Sequence, residues 1–355
     1  MALPVDVGAL LKAATNTEDA VKTPISVSVY IDDTAAGECV AFVRGLFAGA
    51  TGDNARVSVS YIDEHIEPHP RDDMAVIVGG LNDCIGKDAA SIRDAGVPVM
   101  VATTMPKIVE DITCANGYPI PTGDLISPLR APSKMPFQKG GADAFALPAG
   151  EIIELTEDSK SEFVSNIGNW IIAACPDRKL AFAHAFPFVR RPLAREAITS
   201  TSLQNAGVGL LPIIPGADMP IMTLNQAKML MQIAAVYGQP LDKTRLPELA
   251  ALVGNAFLCR SLARSFAKAV PFAGFAISAA VGFAATEAVG RAAIEYFEVG
   301  GNAAGLANVV KQATGEAVDI AQKASVTPTG KAVIRAAKRG VKGAAGMVFG
   351  KAARR

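Results

Sequence analysis

An aspartate pair, Asp32-Asp33, closes an alternating apolar segment (Ile25, Val27, Val29, Ile31) and is followed by Thr34-Ala35-Ala36-Gly37-Glu38-Cys39. A strand, a turn and a helix in that succession is where a phosphate-binding loop GxxxxGK[ST] would sit. Its backbone amides cradle phosphates, its lysine neutralises them and its hydroxyl holds magnesium. Here only the second glycine is present, as Gly37. The first glycine is replaced by Asp32, the lysine by Glu38 and the hydroxyl residue by Cys39. Carboxylates at Asp32, Asp33 and Glu38 would repel a triphosphate. The expectation is a degenerate phosphate loop with no nucleotide, no metal and no cofactor.

Two more stations of a GTP-binding site are missing. The second alternating strand ends in Asp63-Glu64-His65-Ile66 where Asp-x-x-Gly would stand, and the last ends in Ala102-Thr103-Thr104-Met105-Pro106 instead of Asn-Lys-x-Asp. His65 and His69, with Glu64 and Glu67, have the residue types of a metal site. Pro68 breaks the helix that would bring both rings to one face, so a solvated acidic loop is the expected reading. There is no Gly-x-Ser-x-Gly elbow, and His184 in an apolar stretch reads as a core histidine. The five cysteines, Cys39, Cys84, Cys114, Cys175 and Cys259, have no CxxC spacing and read as buried thiols of a reducing compartment. Nothing argues for an enzyme.

The elements that would position these residues begin at residue 25. Ile25–Ile31 and Val57–Tyr61 alternate as strands do, Val40, Val43, Leu46 and Phe47 recur at helical spacing, and Ala75–Val78 is a continuous apolar strand. A helix around Ile85, Ala89 and Ile92 closes at Gly96, and Val97–Val101 is a further strand. Such alternation predicts a mainly parallel, Rossmann-like or P-loop-like sheet with helices on its faces. Residues 115–150, rich in Pro and Gly, are expected to be a long loop. Thr156 is an expected N-cap for a helix carrying Phe163, Ile167 and Trp170.

The rest is different in texture. The chain has 355 residues, 50% of them hydrophobic and 19% charged, and the apolar excess gathers after residue 190 as alanine. Ala269 to Thr286 holds 18 uncharged residues, a marginal length for a membrane span, which needs about 20. Gly274, Ser278, Gly282, Thr286 and Gly290 form a small-residue stripe by which helices pack closely, in a membrane or in a buried bundle. From Lys323 onward there are nine basic residues and no acidic one, so the net charge of zero hides about minus nine on the first 322. Lys331, Arg335, Lys338 and Lys342 share one helical stripe beside Ile334, Ala337 and Val341, the pattern of a basic amphipathic helix at an anionic membrane. A solvated tail ranks second; nucleic acid ranks last, because no aromatic platform is interleaved. The first residues lack a basic leader and do not read as a secretion signal.

The expected organisation is a leader (1–24), an α/β degenerate GTPase-like domain (25–175), an all-α apolar helical domain (190–298) and a basic amphipathic tail (299–355). Residues 190–298 resemble an uncharacterised bacterial family of GTPase-associated helical domains, YcjF-like. The matching features are the turn with Pro212, Pro215, Gly216, Asp218 and Pro220, the Gln226 helix ending in Tyr237-Gly238, the Pro271–Gly274 turn, and Thr286 through Tyr296. The resemblance implies a membrane-associated helical module encoded with or fused to a GTP-binding domain, which makes the α/β part a pseudo-GTPase. It supplies no catalytic residues.

The expected function is a non-catalytic, membrane-associated scaffold or regulator at the cytoplasmic face of the inner membrane, peripheral or with one to two spanning helices. Its expected partner is a protein, a GTPase or another copy of itself. A nucleotide- or ligand-binding switch and a soluble cytoplasmic helical adaptor are the alternatives.

Overall fold

A computed structural model describes residues 20–129, 152–210, 218–239 and 274–298. They fall into two units, residues 20–129 with 152–193 and the described residues from 194 onward.

The first unit is built on five parallel strands: β1 (Ile25–Ile31), β2 (Ala55–Tyr61), β3 (Met74–Val78), β4 (Val99–Ala102) and β5 (Leu125–Ile126). Their order is β2-β1-β3-β4-β5. This is the flavodoxin-like winding, not the 3-2-1-4-5-6 order of the dinucleotide-binding fold, and it narrows the Rossmann-like expectation. It places the reversal of strand order between β1 and β3, where open α/β sheets present their ligand crevice. Every residue of β3 and β4 is buried, as strands covered on both faces must be.

Helix α1 (Gly37–Ala48) turns Cys39, Val43 and Phe47 inward. Its Phe42 stacks on Phe163 of α4 (Glu157–Ala174) with ring centroids 5.7 Å apart, so these two helices share a face. The other face carries α2 (Ile85–Asp94) and α3 (Pro106–Ala115), where Ile85, Ala89, Ile92 and Val109 pack with Ala75, Ile77, Val99 and Val101. Thr156 caps α4 as expected, its hydroxyl accepting from the Ser159 amide at 3.3 Å. Gly96, at φ +82°, ends α2 in a backbone conformation that glycine adopts without strain.

Four elements depart from the expectation. The stretch read as a loop from 115 contains β5, pinned by the Val101 amide on the Asp124 carbonyl and the Thr103 amide on the Ile126 carbonyl. Residues 130–151 of that stretch lie outside the described residues. Helix α3 was not expected, although Pro106 at its first turn and the spacing of Val109 and Thr113, both buried, are ordinary helix signals. Likewise α5 (Lys179–Ala185) and the start of α6 (Pro187–Leu210) occupy residues left unassigned between the expected α/β part, ending at 175, and the expected all-α part, beginning at 190. Pro192 lies inside α6 and meets α4 at Gly168, where an added Cβ would come within 2.7 Å of the proline ring.

The second unit contains α6 from Ala194 onward, α7 (Asp218–Val236) and α8 (Gly274–Glu298). Ile198, Leu230, Ile233, Ala293 and Ile294 are at its centre, and Tyr237 stacks on Phe297 with centroids 5.9 Å apart. Gly238, at φ +64°, lets α7 stop where the sequence suggested. On α8, Arg291, Glu295 and Glu298 are exposed while Ala292, Ala293, Ile294, Tyr296 and Phe297 are buried, so its C-terminal half is amphipathic. Among the described residues no helix is long and apolar enough to cross a membrane. The span considered from Ala269 lies partly outside them, as does the whole basic tail.

At Gly290 α8 approaches α6 closely: an added Cβ would lie 2.3 Å from Ile198 Cγ1 and 2.9 Å from Cγ2. In an unpacked helix Gly→Ala gains about 1 kcal/mol. Overpacking against a β-branched side chain costs about 1–3 kcal/mol. Gly290→Ala is therefore expected to lose up to about 2 kcal/mol by urea denaturation; a stabilised variant would show that the contact relaxes freely.

Candidate functional site

The crevice at the β1/β3 reversal is where the first strand hands over to the turn read as a degenerate phosphate loop. Asp32 is not a projecting charge there. Its side chain is turned inward, and the residue is 2% exposed. One carboxylate oxygen accepts the Thr34 amide at 3.0 Å; the other accepts the Gly80 amide at 2.8 Å and the Asn82 amide at 3.2 Å. The Thr34 hydroxyl donates to the same carboxylate at 2.8–2.9 Å and accepts the Leu81 amide at 2.6 Å. Amides from the loops after β1 and β3 thus converge on one anion, and that anion belongs to the chain.

Such convergence needs the two loops backbone to backbone. Gly80 permits it: a Cβ there would stand 2.4 Å from the Ala35 nitrogen and 2.4 Å from the Thr34 carbonyl carbon. The strands set the alignment, since Ile31 is paired with Val78 and the Asp32 amide donates to the Val78 carbonyl at 3.1 Å. Asp32 is thus buried and bonded to amides of both loops, while Asp33 and Glu38 are exposed around it.

The remaining loop residues follow from α1. Gly37 is its first residue and is exposed. Cys39 is buried against the sheet, and burial pushes its thiol up to about 11, so it supplies neither a magnesium ligand nor a nucleophile at neutral pH. At the end of β4, Thr103 accepts the Met105 amide at 3.0 Å and the Thr104 carbonyl accepts the Ile153 amide at 2.8 Å, so this station closes on itself. Cys84 is the residue before α2; burial first, and then the Asp83 carboxylate that its thiol meets at 3.5 Å, push it up.

His65 and His69 are not brought together. The His65 Nδ1 lies 3.5 Å from an oxygen of Asp88, and the His69 Nδ1 lies 3.5 Å from an oxygen of Asp72. Among the described residues no group of three or more His, Cys, Asp or Glu side chains is placed to hold a metal ion. His184 is half-buried, its Nδ1 buried without a partner and its carbonyl accepting from Arg190 at 3.3 Å.

In the helical unit, two of the five small-residue positions have described side-chain surroundings. Gly290 faces Ile198, and Thr286 is fully buried, its hydroxyl accepting the Asn205 amide at 2.9 Å and the Gln226 amide at 3.1 Å. Asn225 donates to Asn205 at 2.9 Å, so three helices meet at one polar cluster. Gly274, Ser278 and Gly282 lie on the same helix. Asp218 and Pro220 open α7, whereas Pro212, Pro215 and Gly216 lie outside the described residues, as do Lys331, Arg335, Lys338 and Lys342.

Sequence reasoning missed Thr34, Gly80 and Asn82 as partners of Asp32; the Gly79-Gly80 pair after β3 was the available signal. No protein-family model matches the chain, and no curated protein or solved structure matches it significantly.

Removing the carboxylate would orphan three amides, that of Gly80 buried and those of Thr34 and Asn82 part-buried, at about 1–3 kcal/mol for each one that water does not reach. Asp32→Ala is expected to cost about 2–4 kcal/mol by urea denaturation. Asp32→Asn should cost less, because its carbonyl still accepts. Equal losses would mean that the cost is one of packing, not of the hydrogen bonds.

Proposed function

We propose that this chain is a non-catalytic scaffold or regulator that works at the inner face of a membrane. On this reading the α/β unit is a pseudo-GTPase, a ligand-site architecture that carries its own carboxylate in place of an anionic ligand. The helical unit with the basic segment beyond it makes the contacts with partner and lipid. What supports the reading is the Asp32 carboxylate, which takes up the amides of both crevice loops. A phosphate arriving there would have to displace a buried anion already bonded to those donors and pass the exposed Asp33, Glu38 and Asp83.

The membrane part rests on the basic stripe Lys331, Arg335, Lys338 and Lys342, each cation worth about 1 kcal/mol at an anionic surface. The partner is a protein, and the resemblance of residues 190–298 points to a GTPase or a second copy of this chain. A mechanism follows from these parts without chemistry: the crevice stays closed, and the chain contributes position and surface.

Two measurements on the full-length chain test this. In calorimetric titration with magnesium GTP or ATP, no heat of binding is expected at millimolar nucleotide; sub-millimolar binding would overturn the pseudo-GTPase reading. In flotation, the chain is expected to rise with phosphatidylglycerol vesicles, not with phosphatidylcholine vesicles, and to be released by about 0.5–1 M salt, where the Debye length falls towards 3 Å. Retention through salt would replace surface attraction by insertion. Failure to bind either vesicle would overturn the membrane part and leave a helical adaptor.

A further inference from the structure

The two edges of the sheet are unlike. Strand β5 is two residues long, and so short a strand offers little backbone to another chain. Strand β2 has seven residues and none of them is buried, whereas every residue of β3 and β4 is. It carries none of the devices that usually blunt an edge. There is no proline and no lysine in Ala55-Arg56-Val57-Ser58-Val59-Ser60-Tyr61. Nor is there a bulge, since β2 pairs with β1 residue for residue, from Ile25 opposite Ala55 to Ile31 opposite Tyr61. Val59 and Tyr61 are 41% and 59% exposed. Among the described residues β2 pairs with β1 alone, and its far edge meets no other strand.

The parity of the ladder shows which groups that edge presents. The Ile25 amide donates to the Asn54 carbonyl at 2.9 Å, and the Ile62 amide donates to the Ile31 carbonyl at 2.8 Å. Successive residues of a strand turn their amides and carbonyls to opposite sides, so the even-numbered residues from 54 to 62 face β1. Ala55, Val57, Val59 and Tyr61 therefore face outward. The Ala55 amide is taken by the Gly52 carbonyl at 3.3 Å. Those of Val57, Val59 and Tyr61 have no acceptor among the described residues.

We propose that β2 pairs antiparallel with β2 of a second copy of this chain, about a two-fold axis at Ser58, so that two sheets become one.

The strand's own sequence selects that occupant. Its pattern is the same in both directions: apolar at 55, 57, 59 and 61, polar at 56, 58 and 60. With Ser58 opposite Ser58 of the second copy, Val57 lies opposite Val59 and Ala55 opposite Tyr61, all on one face. The Val57 amide then meets the Val59 carbonyl across the axis, the Val59 amide meets the Val57 carbonyl, and the Tyr61 amide meets the Ala55 carbonyl. Each outward amide left over by the monomer gains an acceptor. On the other face Arg56 comes opposite Ser60, so no like charges are set directly against each other, which would be destabilising. Moving the register by two residues leaves one end of each strand unopposed. Pairing of one patch with itself is the rule for two-fold dimers, the commonest closed assembly of identical chains. It asks nothing of the helical unit or of lipid, so it stands apart from the membrane reading.

Residue-resolved amide hydrogen exchange of the full-length chain, at about 2 µM and about 500 µM, brackets the weak, micromolar affinity expected of so small an interface. In the dilute sample the Val57, Val59 and Tyr61 amides are expected to exchange faster than those of Ser58 and Ser60. In the concentrated one they should gain about threefold or more in protection while Ser58 and Ser60 keep theirs. Val59→Pro removes one outward amide at a position where an edge strand accepts proline, and it should abolish the gain. Ser58→Cys tests the register: opposed residues of a non-hydrogen-bonded pair have Cα atoms about 4.5 Å apart, within disulfide reach. In oxidised glutathione that variant is expected to form a dimer cross-linked through position 58. Exchange that does not depend on concentration would overturn the pairing, whether the three amides stay open or are already covered by the chain's own residues. So would a gain that survives Val59→Pro, or a Ser58→Cys chain that forms no cross-link through position 58.

Discussion

The α/β unit depends on one buried negative charge. An ionised carboxylate out of water is costly unless its oxygens are bonded, and Asp32 is tolerable only because two loops bring their amides to it. That requirement reaches far along the chain. It explains why glycine stands at position 80, where any side chain would separate the loops. It gives Thr34 a dual role, donating to the carboxylate and receiving the Leu81 amide. It also ties the ends of β1 and β3 to one another at the sheet's reversal point.

The helical unit solves the opposite problem. Its interior is apolar and its small side chains carry little shape information, so many rotations of one helix against another would bury similar area. The Thr286 hydroxyl removes that ambiguity. It accepts from Asn205 and Gln226, both buried, and any slip of a helix by one residue would strand two amides. Buried polar groups that choose one packing from several are the best-attested use of such clusters. Gly290 acts on the same pair of helices by shape, admitting Ile198 where a larger residue would hold α8 away.

How much of this could be read from residues alone varied with how local the signal was. Strands β1 to β4 and the first two helices were legible because alternation and helical spacing lie within a dozen residues. Thr156 was legible as a cap for the same reason. Strand β5 was not: Leu125-Ile126 carries no period, and it is a strand only because β4 offers it an edge. The inward turn of Asp32 was also hidden, since its partners at 80 and 82 are about 50 residues away. The aspartate pair was recognised as the place of interest, but not that Asp32 turns inward and is bonded there while Asp33 stays exposed. The aspartates that the two histidines face, at 88 and 72, could be identified only in three dimensions.

Strand β1 lies between β2 and β3, yet it is made before either of them. Its partners are complete only when the chain has passed Tyr61 and Val78. At a synthesis rate of about 5–20 residues per second, an apolar edge carrying Ile25, Val27, Val29 and Ile31 therefore waits some seconds outside the ribosome with nothing to pair with. A strand flanked on both sides in the finished sheet is thus an open edge in the nascent one until Val78 has emerged.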